Sequence, residues 1–418
     1  FVTATYYIET ESKDLYNLAQ AIGIEQTTGT WVKVPGETAE VRERHVARVV
    51  NIIEIPDIEF DMGPRTERRK VLVQLAFPWK NFGHNIPEML SAVIGNISMS
   101  GYLKLVDLQF PKSFVDGFAG PKFGIPGLRE HFKQPRGPMI LGMVKPCTGL
   151  TAEQTGKVFF ELAIAGVQMV KDDELISEAE HAPLLRRVEE CRKAIDRAKG
   201  ELGYEPLYFV NITDRPDRML KHAYAAIEAG ANALMVNSHA AGYGALEMIS
   251  TDPKLNVPLL GHPCFAGAIS NSPITGMSSH LIHGKLVRLA GADIVVYPSP
   301  YGKLGSTPDK SVRIATAMRA PFYHLKPTAP LPGGGMHAGI MWETIAELGE
   351  DWVIGVGAAM HGHPEGIKVG TLALKQAAEA VLDGLTPAQA AEKYPELRRT
   401  LAIWPAQVPP SAIFDLKR

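Results

Sequence analysis

The chain has 418 residues, of which 45% are hydrophobic, and its formal net charge is −2. This length can bury a large core, so we expect one large domain or two. The near-neutral charge argues against a nucleic-acid partner, and no run of about 18 apolar residues suggests a membrane span. Three widely spaced cysteines without a CxxC pair, and no visible signal peptide, predict a cytoplasmic protein.

The first 135 residues are predicted to form an α+β domain of the ferredoxin-like type. Residues 2–8, 46–55 and 69–76 alternate apolar and polar side chains, as half-buried strands do. Residues 14–21 and 87–93 have the pattern of helices. The Gly/Pro-rich segment 117–128 is the expected connection to a second domain, residues 136–418.

The second domain is predicted to be a (β/α)8 TIM barrel with a C-terminal helical extension. Eight apolar runs alternate with amphipathic stretches over about 250 residues, which is typical of this α/β fold. A doubly wound sheet is the alternative, but no GxGxxG follows the first strand. The predicted strands are residues 139–144, 167–170, 207–211, 233–236, 258–261, 293–297, 322–325 and 352–356. The predicted helices are residues 151–165, 182–198, 219–229, 280–290, 310–318, 339–348 and 367–382.

Polar residues and glycines cluster at the carboxyl ends of these strands. Because a TIM barrel builds its active site at that face, we expect them to lie close together. The set comprises Lys145, Lys171, Asp172, Asp173, Glu174, Asn211, Asn237, Ser238, His239, His262, Lys303, the glycines at 333–335 and Gly357.

The run of four ionisable residues at 171–174 indicates a metal site. Neighbouring carboxylates such as Asp173 and Glu174 can hold a hard divalent cation such as Mg²⁺. Burial favours the neutral amine of a lysine, and a neutral amine can react with CO2 to give a carbamate, a further anionic oxygen ligand. The alternative is a solvated charge run at the start of a helix.

These motifs resemble the large subunit of RuBisCO, and more closely the RuBisCO-like proteins, over nearly the whole chain. The segment Gly-Met-Val-Lys-Pro at 142–146 is similar to the end of the family's first barrel strand, so the resemblance implies that Lys145 is catalytic. It also implies that Lys171 is carbamylated and binds Mg²⁺ together with Asp173 and Glu174.

The same resemblance extends to the later strands and to the first domain. His262 matches the histidine of strand five, Lys303 lies in a motif like the flexible loop after strand six, and Gly334, Gly335 and Gly357 match phosphate-binding turns. In the first domain, Glu25, Thr30, Trp31 and Asn96 match residues that reach into the partner subunit's site. The resemblance therefore implies a homodimer with shared active sites, and it does not fix whether dimers assemble further.

Four departures from RuBisCO bear on the substrate. Cys147 replaces a second lysine, Pro263 replaces an arginine, Gly333 replaces a serine, and the strand-six histidine falls at Val296 or Tyr297. Three of the four lost groups surround one of the two phosphate sites of ribulose bisphosphate. We therefore expect a substrate with one phosphate and an enzyme that does not fix CO2.

The reaction expected from this resemblance begins with an enolisation. Mg²⁺ would polarise a ketone and stabilise an enediolate, with Lys145 as acid or base and His262 assisting. Retention of the lid lysine, Lys303, which holds a carboxylate in RuBisCO, favours a mono-phosphorylated keto sugar acid. The preferred reaction is cleavage of 3-oxo-isoapionate 4-phosphate by transcarboxylation and hydrolysis. The alternatives are 5-methylthioribulose-1-phosphate isomerisation, 2,3-diketo-5-methylthiopentyl-1-phosphate enolisation, and a non-catalytic protein that binds a phosphorylated metabolite.

Overall fold

The N-terminal part of the chain folds around a five-stranded mixed sheet in a computed structural model that describes residues 1–29, 32, 34–56 and 68–406. Four antiparallel strands, Val2–Thr10, Arg48–Ile55, Arg69–Phe77 and Leu103–Gln109, lie in the order fourth, first, third, second. Together with the helices Leu15–Glu25 and Ile86–Ile94 they confirm the predicted ferredoxin-like unit. The fourth strand was not predicted, and the two-residue strand Gly276–Met277 pairs beside it in parallel.

Eight parallel strands form a closed barrel, as predicted. All residues of the second, third and fourth strands are buried, because helices cover the outside of the barrel and side chains fill its interior. In chain order the strands are Met139–Met143, Met169–Lys171, Leu207–Asn211, Ala233–Asn237, Leu259–His262, Ile294–Pro298, Ala329–Gly333 and Val353–Val356. They are called the first to eighth barrel strands below.

Helices follow each barrel strand and continue beyond the last one. The helix after the first barrel strand begins with a capping box, in which Thr151 and Gln154 satisfy each other's backbone N–H groups. The α-helices from residue 112 onward are Lys112–Val115, Gly124–Phe132, Ala152–Ile164, Leu184–Leu202, Pro216–Glu228, Ser238–Ala241, Tyr243–Thr251, Ala266–Ser270, Leu286–Leu289, Pro308–Arg319, Met341–Leu348, Ala358–His361, Ile367–Leu382, Pro387–Lys393 and Pro395–Ile403. A further short helix, Ala39–His45, precedes the second strand of the N-terminal sheet, and a π-helix, Leu281–Lys285, precedes Leu286–Leu289. No helix in the described parts of the chain has the length and apolar character needed to cross a bilayer.

The prediction of the seventh barrel strand at residues 322–325 is wrong. These residues form a turn in which Tyr323 has a φ of 52°, and its hydroxyl donates to the Phe110 carbonyl at 2.8 Å. The real strand, Ala329–Gly333, contains Pro330 and Pro332, whose missing N–H groups are unusual in a strand. The strand tolerates them because its ladder to the eighth strand is reduced to Gly333 paired with Gly355.

The predicted connection at residues 117–128 is partly helical. Ile125, Leu128 and Phe132 of the helix Gly124–Phe132 pack against the side chains that fill the barrel interior. The helix therefore closes the end of the barrel opposite the carboxyl ends of its strands. The domain boundary at residue 135 stays a prediction.

Asp293, at the start of the sixth barrel strand, holds this closing helix in place. One of its carboxylate oxygens accepts the N–H groups of Phe123 and Gly124 at 2.7 Å each, and the other accepts the N–H of Leu259 at 2.9 Å. Burial raises the pKa of Asp293 to about 6 in spite of these three donors. The carboxyl group therefore serves as the common acceptor for three backbone N–H groups, of which those of Gly124 and Leu259 are buried.

We expect Asp293→Ala to lower the free energy of unfolding by about 3 kcal/mol or more, because it leaves three buried N–H groups without an acceptor. Asp293→Asn, which keeps one oxygen, is the matched control and should cost less. Urea unfolding of the three proteins measures both changes. A loss below about 1 kcal/mol in the alanine variant would contradict this role.

Candidate active site

Two lysines and two carboxylates meet at the carboxyl ends of the first and second barrel strands. Lys171 ends the second strand and is paired in register with Met143, two residues before Lys145. The Lys145 ammonium donates to Asp173 Oδ2 at 2.8 Å, and the Lys171 ammonium donates to Glu174 Oε2 at 3.2 Å. We refer to these four residues as the lysine–carboxylate cluster. It brings together the side chains that the sequence predicted for the metal site and for acid–base catalysis.

The charges of the lysine–carboxylate cluster balance within a buried space. Lys171 is 0% exposed and Asp173 is 3% exposed, so neither charge is well solvated. Burial alone would raise the pKa of Glu174, but the charge of Lys171, the hydrogen bonds to the carboxylate and the charge of Lys145 together lower that pKa. The nearby ammonium groups therefore favour the ionised form of Glu174.

Two opposing influences act on the ammonium group of Lys145. A neighbouring lysine disfavours the protonated form and so lowers the pKa of such a group. Burial does act in that direction, but hydrogen bonds to Asp173 and Cys147 outweigh it and raise the pKa of Lys145. Cys147 Sγ lies 2.9 Å from the Lys145 ammonium, at the position where RuBisCO has a second lysine. In this structure Lys145 is therefore a proton donor.

His262 joins the lysine–carboxylate cluster from the fifth barrel strand. Its Nε2 lies 3.2 Å from Glu174 Oε2, and its Nδ1 accepts the N–H of Cys264 at 3.3 Å. Burial, followed by the charge of Lys171, lowers the pKa of His262 well below its usual value. The imidazole is therefore neutral near pH 7, and because Nδ1 accepts a hydrogen bond, Nε2 carries the proton and faces Glu174.

Asp172 lies outside the lysine–carboxylate cluster although it is adjacent to Lys171 in sequence. Its carboxylate binds the Arg187 guanidinium at 3.1 Å, and it accepts the Tyr208 hydroxyl at 2.5 Å and the Asn211 N–H at 3.0 Å. Asp172 and Arg187 are both almost fully buried. This set was not predicted as a unit, although the alternation of side chains along a strand could have separated Asp172 from Lys171.

Two asparagines fix the backbone that carries the carboxylates. Asn211 Nδ2 donates weakly to the carbonyls of Asp173 and Glu174, at 3.4 Å each, and Asn237 Nδ2 donates to the Glu174 carbonyl at 3.0 Å. These bonds hold the backbone of the loop and do not involve the carboxylate groups themselves. Asn211 therefore supports the backbone of the segment that carries Asp173 and Glu174.

Glycine turns follow the seventh and eighth barrel strands side by side. Gly333 and Gly355 are paired in register, which places Gly334, Gly335 and Gly357 at the same rim of the barrel. The backbone N–H groups of these last three residues donate to no acceptor in the described part of the chain. Gly334 and Gly335 have φ values of 90° and 103°, which only glycine adopts easily. Free N–H groups at such a rim suit an anion.

The loop after the sixth barrel strand packs against one of these turns. The Lys303 N–H donates to the Gly334 carbonyl at 2.9 Å, and a Cβ at Gly302 would lie 1.8 Å from the same oxygen. The Lys303 side chain is exposed and has no partner among the described residues. The Tyr301 hydroxyl donates to Glu347, which anchors the loop to the following helix layer.

The two residues that could correspond to the strand-six histidine of RuBisCO, Val296 and Tyr297, face opposite sides of the barrel wall. Val296 packs among the side chains that fill the barrel, whereas Tyr297 faces outward, with its hydroxyl 3.2 Å from Ser311 Oγ. The inward position that could hold a histidine is therefore occupied by valine. Valine offers no polar group for a ligand at this position.

The first-domain residues lie apart from this cluster within one chain. Asn96 Nδ2 donates to Glu25 Oε1 at 3.4 Å, and both residues are exposed. Among the described residues, no hydrogen bond or ion pair links either one to the lysine–carboxylate cluster. Thr30 and Trp31, predicted to contact phosphate, lie outside the described residues.

The chain matches two family models that together span nearly its whole length. The catalytic domain of the ribulose bisphosphate carboxylase large chain matches residues 124–404, and its N-terminal domain matches residues 2–114. A ribulose bisphosphate carboxylase-like protein of Archaeoglobus fulgidus is 43% identical over 92% of this chain and 89% of the relative. A 2,3-diketo-5-methylthiopentyl-1-phosphate enolase of Bacillus licheniformis is 33% identical over 96% of this chain and 97% of the relative.

Solved structures give the same assignment. A RuBisCO-like protein (MtnW) of Alicyclobacillus acidocaldarius superposes with a TM-score of 0.87 at 33% identity, covering 96% of this chain and 99% of its own. A dimeric archaeal RuBisCO of Hyperthermus butylicus superposes with a TM-score of 0.85 at 28% identity, covering 96% and 95%. An octameric RuBisCO of Pyrococcus horikoshii gives 0.86 at 27%, covering 96% and 93%. The chain therefore belongs to the RuBisCO large-chain family, as a RuBisCO-like (form IV) enzyme and not a carboxylase.

Proposed function

We propose that the enzyme removes a proton next to the ketone of a mono-phosphorylated sugar or sugar acid. The observation that carries this proposal is the lysine–carboxylate cluster, with each carboxylate bound by one lysine. Buried charges of this kind are costly, and a fold that needed only stability could use apolar residues there. The arrangement therefore supports chemistry at this position.

The cluster fits a divalent cation once Lys171 is carbamylated. Its donors are then oxygens only, as Mg²⁺ prefers, and among the described residues no three His, Cys, Asp or Glu side chains form a competing site. Carbamylation would turn the positive Lys171 into an anion, so that the cluster would change from neutral to a net charge that a divalent cation neutralises. When bound, the cation supplies Lewis-acid polarisation of a ketone oxygen.

The protein's own groups would bind and orient the substrate and move its proton. Lys145 lies beside the cation ligands and is protonated while it bonds to Asp173. Without that bond, burial would lower its pKa, and the neutral amine would accept the proton of the carbon next to the ketone. The neutral His262 would orient a hydroxyl or relay a proton through Nε2. The N–H groups of Gly334, Gly335 and Gly357 would hold one phosphate.

A single phosphate is favoured because the part of the barrel rim near the fifth and sixth strands lacks the phosphate-binding side chains of RuBisCO. Val296 takes the inward position of the sixth strand, and Pro263, next to His262, offers neither a guanidinium group nor an N–H donor. A second phosphate would have no comparable partner there. Ribulose bisphosphate is therefore expected to bind poorly.

The preferred substrate is 3-oxo-isoapionate 4-phosphate, cleaved by transcarboxylation and hydrolysis. Its support is Lys303, whose backbone binds the phosphate turn while its side chain has no partner among the described residues. A lysine so placed can close on a substrate carboxylate. A keto sugar acid with one phosphate carries both groups.

A second candidate is enolisation of 2,3-diketo-5-methylthiopentyl 1-phosphate. It is favoured by the enolases that are 31–33% identical to this chain over nearly their whole length. Methylthioribulose-phosphate isomerisation remains the third reaction to assay. The enolisation and the isomerisation both begin by removal of a proton beside a carbonyl group.

We also propose that the protein is a homodimer in which the barrel of one chain and the first domain of the other form each active site. Glu25 and Asn96 bond to each other on the exposed side of the first domain. Their contact to a second chain's barrel rim would complete the site, and the dimeric and octameric relatives support an oligomer. An obligate dimer of this kind should bury more than roughly 2,000 Å².

Lys171→Ala should abolish exchange of the substrate's α-proton in deuterated water containing Mg²⁺ and bicarbonate. The expected loss is about 1,000-fold or more, because the variant lacks a ligand of the cation. NMR of the three candidate substrates measures the exchange, and circular dichroism tests the fold. Lys112→Ala, on the exposed surface, is the control. A folded Lys171→Ala protein with undiminished exchange would refute the carbamate.

Lys303→Met tests the choice of substrate. The variant should lose most of its preference for the carboxylate-bearing substrate, about 1.5–3 kcal/mol, since a charged hydrogen bond is removed. The measurement is kcat/KM for the keto acid and for the methylthio-sugar phosphates, in both proteins. An unchanged preference would favour the enolase reaction.

Mixing two inactive variants tests whether sites are shared. Glu25→Gln would damage the site that the first domain completes, and Lys171→Ala would damage the site in its own barrel. A mixed dimer would keep one intact site, so random reassembly should restore about a quarter of wild-type activity. Activity that stays at the level of the separate variants after verified mixing would contradict a shared site.

A further inference from the structure

A cavity of about 640 Å³ lies between the N-terminal sheet and the barrel, apart from the lysine–carboxylate cluster. Its walls come from the first and fourth strands of the sheet, from residues that follow the helix Ala266–Ser270, and from the helix Pro308–Arg319. This volume is large enough for a small metabolite. The proposed function assigns no role to it.

Three cations face this cavity, and none of them has a carboxylate partner among the described residues. Lys104 donates only to the backbone carbonyls of Ser270 and Ser272. The side chains of Lys310 and Arg313 form no hydrogen bond or ion pair within the described ranges of the chain. Lys104 and Lys310 are half-buried, whereas Arg313 is exposed at the rim.

These cations destabilise one another. Burial, followed by the charge of Lys310, lowers the pKa of Lys104. Burial, followed by the charge of Arg313, lowers the pKa of Lys310. Like charges kept together without a counter-ion cost folding free energy, so an anion between them would stabilise the protein.

The acidic groups nearby do not neutralise the cations. Glu9 lines the cavity, but it accepts the Tyr7 hydroxyl at 2.6 Å and is not within ion-pair distance of any of the three. Asp107, behind the wall, is bound by Lys285 at 2.7 Å and lies 3.3 Å from His280. Three cations therefore oppose one carboxylate, an excess that matches a dianion.

We propose that this cavity binds the phosphate group of a small phosphate monoester, at a site separate from the catalytic glycine turns. Ammonium and guanidinium groups bind phosphate oxygens by charge-assisted hydrogen bonds. The helix that carries Lys310 and Arg313 follows the Lys303 loop, and the opposite wall follows the strand of His262. A bound ester therefore contacts elements that continue directly into the active site.

Calorimetric titration of the whole protein with glycerol 3-phosphate tests this site. Wild type should bind the ester saturably at constant ionic strength, and Lys310→Met and Arg313→Met should each weaken that binding by at least about tenfold. Lys112→Met, which removes one exposed charge outside the cavity, should bind as wild type does. The absence of saturable binding would overturn the proposal. Saturable binding that neither cavity variant weakens would also overturn it, and would assign the bound ester to the glycine turns.

Unfolding without ligand supplies an independent readout. Because the Lys310 side chain repels its neighbours and has no partner in the described ranges, the midpoint for Lys310→Met should equal or exceed that of wild type, while its rise on addition of the ester should be lost. A lower midpoint would show that Lys310 stabilises the fold and would overturn the proposal. A change of oligomer mass in this variant would assign the cavity to a contact between chains, and would also overturn it.

Discussion

At the end of the second barrel strand, two adjacent buried charged side chains point to opposite sides of the barrel wall. Lys171 points inward to Glu174, whereas Asp172 points outward to Arg187 and Tyr208. Loss of one partner of a buried pair such as Asp172–Arg187 typically costs about 3–5 kcal/mol. The outer pair therefore fixes the strand, and the fixed strand holds the inner lysine against its carboxylate. The contacts of Lys145 with Asp173 and of Lys171 with Glu174 both form at this strand end.

Much of this arrangement could be predicted from the sequence, because the barrel repeats one pattern. Seven strands and the polar residues at their ends followed from apolar runs and their spacing. The seventh strand could not be located in this way, since Pro330 and Pro332 oppose strand propensity and the barrel tolerates them through reduced pairing. Likewise, the role of Asp172 depends on Arg187, which is distant in sequence, and the raised pKa of Lys145 depends on Cys147.

The loop after the sixth barrel strand and the glycine turn after the seventh constrain each other through backbone contact. Gly302 approaches the Gly334 carbonyl so closely that any side chain there would collide with it. Because the Lys303 N–H donates to the same oxygen, movement of the loop would break a hydrogen bond to the glycine turn. This coupling gives a physical reason why one phosphate and one carboxylate would be sensed together. Enzymes often use such loops to exclude water during reaction.

The central claim is that the lysine–carboxylate cluster takes up a divalent cation only when Lys171 becomes an anion. Calorimetric titration with Mg²⁺, in CO2-free buffer and in bicarbonate, tests it most directly. The account predicts tight binding of about one Mg²⁺ per chain in bicarbonate and little binding without it, since the ammonium form repels the cation. Equal Mg²⁺ affinity in both buffers, or in Lys171→Ala and wild type, would contradict it.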